Sequence, residues 1–186
     1  MKDTLKMGVT LAIFCGVAAA SLQVVYSLTQ PIIDENVRIS AIKKRQEVIP
    51  EAKSFDPIEI ESTKLVKNVF AGKDEDGNTI GYVMEITPRG FGGEIKATIS
   101  VLPDGNIMNL AINKLDQQET PGLGARIVNP SFRESFKGKS GDALKLKKDG
   151  GEIDAITSAT ISSRAVSSGM KGAWDWFMEN RASFNK

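Results

Sequence analysis

The chain has 186 residues, a formal net charge of +1, one cysteine and no histidine. Near-neutral charge, with no basic stripe among aromatics, leaves no electrostatic footprint for nucleic acid. Without histidine and with a single thiol, the usual metal, haem and iron–sulfur ligand sets are missing, so any redox chemistry here rests on an organic cofactor.

From Met7 to Ile33 there is no charged residue, and a run of about 20 apolar residues is long enough to span a bilayer. The sequence therefore predicts a short cytoplasmic N-terminus over 1–6 and a transmembrane anchor over 7–29, with Tyr26 at an interface. The rival readings are a buried soluble helix and a cleaved signal peptide, the latter because Ala18-Ala-Ala20 resembles a small-residue cleavage site. Leu22, Val24, Val25 and Leu28 carry the apolar run well past that point, which favours a retained anchor. Lys2 and Lys6 flank one end and Arg38, Lys43, Lys44 and Arg45 follow the other, so the charge tally does not fix the orientation. A single span without a carboxylate offers no path for an ion.

Gln30-Pro31 is read as the end of the span, and 30–62 as a helical stalk or linker. Ile32, Ile33, Val37, Ile39 and Ile42 recur at mixed helical spacing up to Val48. That helix lies against partners or packs on its own domain, and the two readings weigh equally. From about residue 63 the period changes. Lys64–Ala71 and Thr79–Ile86 flank Asp74-Glu-Asp-Gly-Asn78, and Glu94–Leu102 and Asn106–Asn113 flank Pro103-Asp-Gly105, which gives two hairpins and about four strands. A short helix is expected near Asn129–Phe136, capped by Ser131 or Asn129. A longer one is expected over Thr160–Asn180, with Ile161, Ala165, Val166, Met170, Ala173 and Phe177 on one face. Trp174 and Trp176 cannot both share that face, so one of them is expected to meet membrane, partner or solvent. The predicted fold is α+β, an antiparallel sheet with packed helices over 63–186, preceded by one transmembrane helix.

Two loops carry chemistry. In Glu119-Thr-Pro-Gly-Leu-Gly124, Thr120 is pushed to an extended conformation by the following proline. Gly122 and Gly124 permit positive φ and close approach of backbone to a ligand, although Pro-Gly by itself is simply a turn signal. Asp154-Ala-Ile-Thr-Ser-Ala-Thr160 feeds the last helix, where unpaired N–H groups and the helix dipole suit a phosphate. A phosphate on the Thr160 oxygen would sit against the amides of Ile161, Ser162 and Ser163. The plain alternative is that Thr160 is an ordinary N-cap. No Gly-x-Gly-x-x-Gly follows a strand, so no nicotinamide site is expected.

Asp154, Thr157, Ser158, Ala159 and Thr160 resemble the flavinylation motif of the covalent-FMN domain family, which occurs in the G subunit of the Rnf electron-transport complex and in the C subunit of the sodium-pumping quinone reductase. Ser158 stands where that family usually has glycine. Glu119–Gly124 is similar to a second signature of the same family at all six positions, and Phe91-Gly-Gly-Glu94 resembles a third, glycine-rich element. The resemblance implies FMN attached through a phosphoester to Thr160, installed by a flavin transferase that uses FAD. It further implies an electron-carrying subunit of a membrane-bound ion-translocating ferredoxin:NAD+ oxidoreductase, an Rnf-type complex with other membrane and peripheral subunits as partners. The chain would sit in the cytoplasmic membrane of a prokaryote as a single-pass protein, with its flavin domain on the extracytoplasmic side. Thr157, Ser158, Ala159, Ser162 and Ser163 would surround the phosphate and ribityl chain. Gly122, Leu123 and Gly124 would approach the flavin, with Thr120 and Glu119 shaping their loop and Asp154 serving turn geometry and transferase recognition. The other readings are an assembly scaffold without flavin, a non-covalent FMN domain, and the corresponding subunit of a Na+-pumping NADH:quinone reductase.

Overall fold

The computed structural model describes residues 2–112 and 119–184. It divides into two compact units, the first ending at Lys43 and the second beginning at Lys44. Helix α1 covers Lys2–Val48 and contains Pro31. The expected span and the helical stretch expected after Pro31 are therefore one continuous helix. One missing N–H costs a single bond in a long helix, and apolar spans tolerate proline. Within its first part α1 is long and apolar enough to cross a membrane. Leu11, Phe14, Leu22 and Leu28 are each at least 65% exposed, as a lipid-facing surface requires.

The second unit is built on a five-stranded antiparallel meander in the order β1-β2-β3-β4-β5. Its strands are β1 Ser54–Ile58, β2 Val66–Lys73, β3 Thr79–Ile86, β4 Ala97–Val101 and β5 Ile107–Ile112. The two hairpins stand where the turn residues placed them. Asp74 accepts the N–H groups of Asp76 and Asn78, and Gly77 and Gly105 take positive φ. Asn113, the expected end of the last strand, lies outside the described residues. The fifth strand corrects the linker expected up to residue 62: β1 pairs with β2 from Ser54↔Lys73 to Ile58↔Val69. Pro57 is admitted because β1 is an edge strand, where a missing N–H need not break a ladder.

Alternation sends side chains to two cores. On the main face, Val69, Tyr82, Met84, Ile86, Ile99 and Leu110 pack with Phe136, Leu144, Val166, Met170 and Phe177. The first two of these last five come from the segment that follows α2 (Pro130–Glu134), and the other three from α3 (Thr160–Asn180). On the other face, Val83 and Ala111 meet Val48, Ile49 and Ala52 at and just beyond the end of α1. Gly72 and Gly81 face each other across β2 and β3, and a Cβ on either would lie 3.1 Å from Ile49 Cδ1. Ile49 is thus a plug seated in a notch made by two glycines. Ser100 Oγ donates to Val48 O at 2.8 Å, and Arg45 ties this segment to β3 through Glu85 at 3.0 Å. Of the two open readings for residues up to Val48, packing on the domain holds for the last turn of α1.

Asn129 precedes α2, with Pro130 as its first helical residue and no side-chain cap bond. Ser131 lies inside that helix and is not its cap. Trp174 and Trp176 both pack, partly buried, against the main core. Neither is fully buried, and residues after α3 fold back on Trp176. Phe184 lies 5.9 Å from Trp176, and Trp174 Nε1 donates to Gly105 O at 2.6 Å.

Candidate functional site

Three loops converge at the first turn of α3, and a single side chain joins them. Glu119 is buried at 6% exposure. Its Oε2 accepts the Ser162 hydroxyl at 2.6 Å, and its Oε1 accepts the Gly92 N–H at 3.2 Å. A Cβ on Gly90 would fall 2.1 Å from Oε1, and one on Gly124 would fall 2.2 Å from Oε2. Glycine at both positions therefore makes room for the carboxylate. The Phe91-Gly-Gly, Glu119–Gly124 and Thr160 segments, 27 to 43 residues apart along the chain, are brought together in this way. The Gly90 and Gly92 contacts are not legible in the sequence, although the glycine-rich element itself is.

The segment leading into α3 has a specific backbone. Ser158 has φ 63 and is the one non-glycine residue at positive φ among the described residues. This accounts for glycine at the corresponding place in the motif it resembles. The N-cap of α3 is Ala159, with φ −134 and ψ 38 and no side-chain cap bond. Thr160 is the first helical residue and is half-buried. The ordinary N-cap reading of Thr160 is thereby corrected. Among the described residues its hydroxyl makes no hydrogen bond. Because Ser163 N–H donates to Ala159 O at 3.0 Å, only the N–H groups of Thr160, Ile161 and Ser162 lie ahead of the first intrahelical bond.

The expected roles of the neighbouring hydroxyls change accordingly. Ser163 is fully buried; its Oγ accepts the Ile156 N–H at 3.0 Å and donates to Ala159 O at 2.9 Å, closing the turn before the helix. Ser162, at 2% exposure, spends its hydroxyl on Glu119. Neither side chain is free for a ligand, and the Ser163 amide is also used. Thr157 and Ser158 are exposed beside them, while Ala159 is buried.

In the second loop, Thr120 O accepts the N–H groups of Leu123 and Ala125 at 3.2 and 3.1 Å. Gly122 takes φ 79, a conformation that suits glycine. Gly124 has no positive φ, so its expected backbone freedom gives way to the close approach of Glu119 and Ser162. Leu123, Phe91 and Ile161 are exposed at 44%, 70% and 57%, and each is adjacent in sequence to a residue touching Glu119. They are the exposed large apolar side chains of the three converging segments.

Salt bridges hold the approach to the helix. Asp154 pairs with Lys147 at 2.7 Å. Arg164, the fifth residue of α3, grips Asp149 through two bonds of 2.7 and 2.9 Å. The Arg164 hydrogen bond holds the Asp149 carboxyl below the ordinary aspartate range.

Comparison with known proteins matches this arrangement to a described family. Residues 90–175 match the FMN-binding domain and residues 1–48 the RnfG N-terminal region. The G subunit of the ion-translocating oxidoreductase complex of Methanosarcina acetivorans is 32% identical, aligned over 94% of this chain and 95% of that one. The G subunit of the proton-translocating ferredoxin:NAD(+) oxidoreductase complex of Clostridium ljungdahlii is 34% identical over 88% of this chain and 85% of its own length. The fold is also that of the crystal structure of the C subunit of the Na(+)-translocating NADH-quinone reductase from Parabacteroides distasonis. That structure covers 69% of this chain and 77% of its own, at a TM-score of 0.51 and 24% identity. With its N-terminal region, its FMN-binding domain and near full-length relatives in agreement, the chain belongs to the family formed by the G subunits of ion-translocating oxidoreductase complexes.

Proposed function

We propose that this chain is an electron-carrying subunit of a membrane-bound ion-translocating ferredoxin:NAD+ oxidoreductase complex, with FMN held by a phosphoester to Thr160. The observation that carries the reading is the state of Thr160. Its hydroxyl is the first of α3, is not spent on capping, and stands beside three N–H groups that no intrahelical bond uses. The helix dipole adds partial positive charge at the same place. When bound, FMN supplies one- and two-electron chemistry in a chain that has no histidine and one cysteine.

The rest of the chain's task is holding and orientation. In such an attachment the Thr160 oxygen would form an ester bond with the FMN-side phosphorus of FAD as the pyrophosphate bond breaks, with AMP as the leaving group and the hydroxyl proton passing to solvent. A flavin transferase would catalyse this step. The Thr160, Ile161 and Ser162 amides would then hold the phosphate. Leu123, Phe91 and Ile161, the exposed apolar side chains of the three segments, would be available for contact with a ring. Thr157 and Ser158 are the exposed hydroxyls just before Thr160 and would be available to a ribityl chain. The apolar part of α1 would hold the protein in a prokaryotic cytoplasmic membrane as a single span, with the second unit on the extracytoplasmic side beside the other subunits of the complex. A tether outside the cytoplasm prevents loss of a cofactor that is scarce there.

The test is the mass of protein purified from its own host. The peptide containing Thr160 is expected to gain FMN less one water, and Thr160→Ala to abolish both that gain and the yellow colour that survives denaturation. A bare native Thr160 would reject the reading.

A further inference from the structure

The positive end of α3 already faces a buried anion. The Glu119 carboxylate is bonded to Ser162, the third residue of the helix, and its other oxygen takes the Gly92 N–H. The Gly92 N–H can only donate and the Ser162 hydroxyl is able to donate, which suits a carboxylate acceptor. Among the described residues no basic side chain pairs with it. The charge is also fixed in place, since Gly90 and Gly124 close over its two oxygens. Any phosphate held by the first N–H groups of the helix therefore sits within about one helical turn of a buried negative charge.

That placement separates two forms of the same ligand. A free phosphomonoester carries a charge of about −1.5 to −2 at neutral pH, and esterification to a second alcohol leaves it with one. Repulsion from a neighbouring carboxylate grows with ligand charge and is poorly screened where both groups are partly out of water. We infer that Glu119 is a specificity-determining charge that makes the Thr160 site reject free dianionic phosphomonoesters and accept the monoanionic phosphodiester. The same carboxylate organises the three loops. The helix start thus keeps the geometry of an anion site but binds an unattached flavin phosphate weakly, and the ester to Thr160 relieves the penalty. The inference rests on the proposed attachment at Thr160 for its biological meaning, but its test does not depend on that attachment.

The full-length chain, produced without a flavin transferase and held in detergent, is titrated with FMN, with riboflavin and with the methyl phosphodiester of FMN. Binding is read by quenching of flavin fluorescence. Wild type is expected to bind the methyl diester about tenfold or more tightly than FMN, a comparison that requires no variant. Glu119→Gln should tighten FMN binding relative to riboflavin binding by about the same factor. Ser162→Ala, which keeps the charge and loses the hydrogen bond, should keep the wild-type preference for the diester. Equal affinity of wild type for FMN and the diester would overturn the inference, as would parallel changes for FMN and riboflavin in Glu119→Gln. Failure to detect binding of the diester would overturn it too. A bare Thr160 in native protein would defeat the attachment reading while leaving these ratios as they are.

Discussion

Ser158 shows how one residue can be legible in type and opaque in consequence. The sequence marks it as the place where a glycine is usual, and the structure gives the reason in a φ of 63. A side chain in the left-handed region costs about 1–2 kcal/mol, partly offset because glycine loses more freedom on folding. Ser158→Gly is expected to raise stability by up to about 1 kcal/mol, and Ser158→Val to lower it by about 1–2 kcal/mol. Thermal unfolding of the two variants in detergent gives both signs, and destabilisation by glycine would remove the strain argument. Thr160 is visible from its motif, but its freedom from capping is not. Whether a hydroxyl before or within the first turn is spent depends on where the helix begins, and boundaries shift by a residue or two. Ser162 and Ser163 escape the sequence for a related reason. Spacing puts them near the site, but only the fold shows that their hydroxyls point into the protein and are consumed there.

At the level of elements, the periodic ones are readable and the compensated ones are not. β2 to β5 announce themselves through apolar alternation and turn residues. β1 does not, since Ser54-Phe-Asp-Pro-Ile58 is short, polar and interrupted by proline, and it is a strand only because β2 offers it an edge. Helix α3 runs between the bounds its periodicity predicts, yet the means by which its first turn is fixed lies outside it. Arg164 reaches Asp149 with two bonds, and that hydrogen bond depresses the Asp149 carboxyl below its ordinary value. A depressed folded value means the contribution is whole above the range where a free aspartate titrates, and it is lost as pH falls through the folded value. Both groups are exposed, so the effect is local and sensitive to salt. NMR titration should find Asp149 more acidic than an ordinary aspartate, and Arg164→Met should bring it back. An unchanged Asp149 in that variant would show that the pair does not set the titration.

For the whole molecule, the position of the boundary matters more than the number of strands. The sequence places the start of the cofactor domain near residue 63, where the period changes. The second unit instead begins at Lys44. Val48, Ile49 and Ala52 cover one face of the sheet, and β1 extends its edge. Losing a buried isoleucine alone costs about 2–5 kcal/mol, a large part of the stability of a domain this size. A fragment of residues 44–186 is expected to fold and melt cooperatively, whereas 63–186 is expected to show no cooperative transition. Circular dichroism decides between them, and a sharp transition in the shorter fragment would mean that the glycine notch and the edge strand are dispensable. Hydrophobic periodicity cannot reveal such a boundary. A plug of three residues has no period, and its notch is written as two glycines that read as weak points in a strand.

The two tryptophans of the chain both lie on α3, 14 and 16 residues from Thr160, or roughly 21 and 24 Å along the helix axis. Each is held in place, one by a bond from its indole to Gly105 and the other against Phe184. A rigid emitter at a set distance from an absorbing ring is an optical ruler. The helix that would carry the cofactor at one end thus bears two fluorophores toward the other, whose brightness would report on loading without any added label.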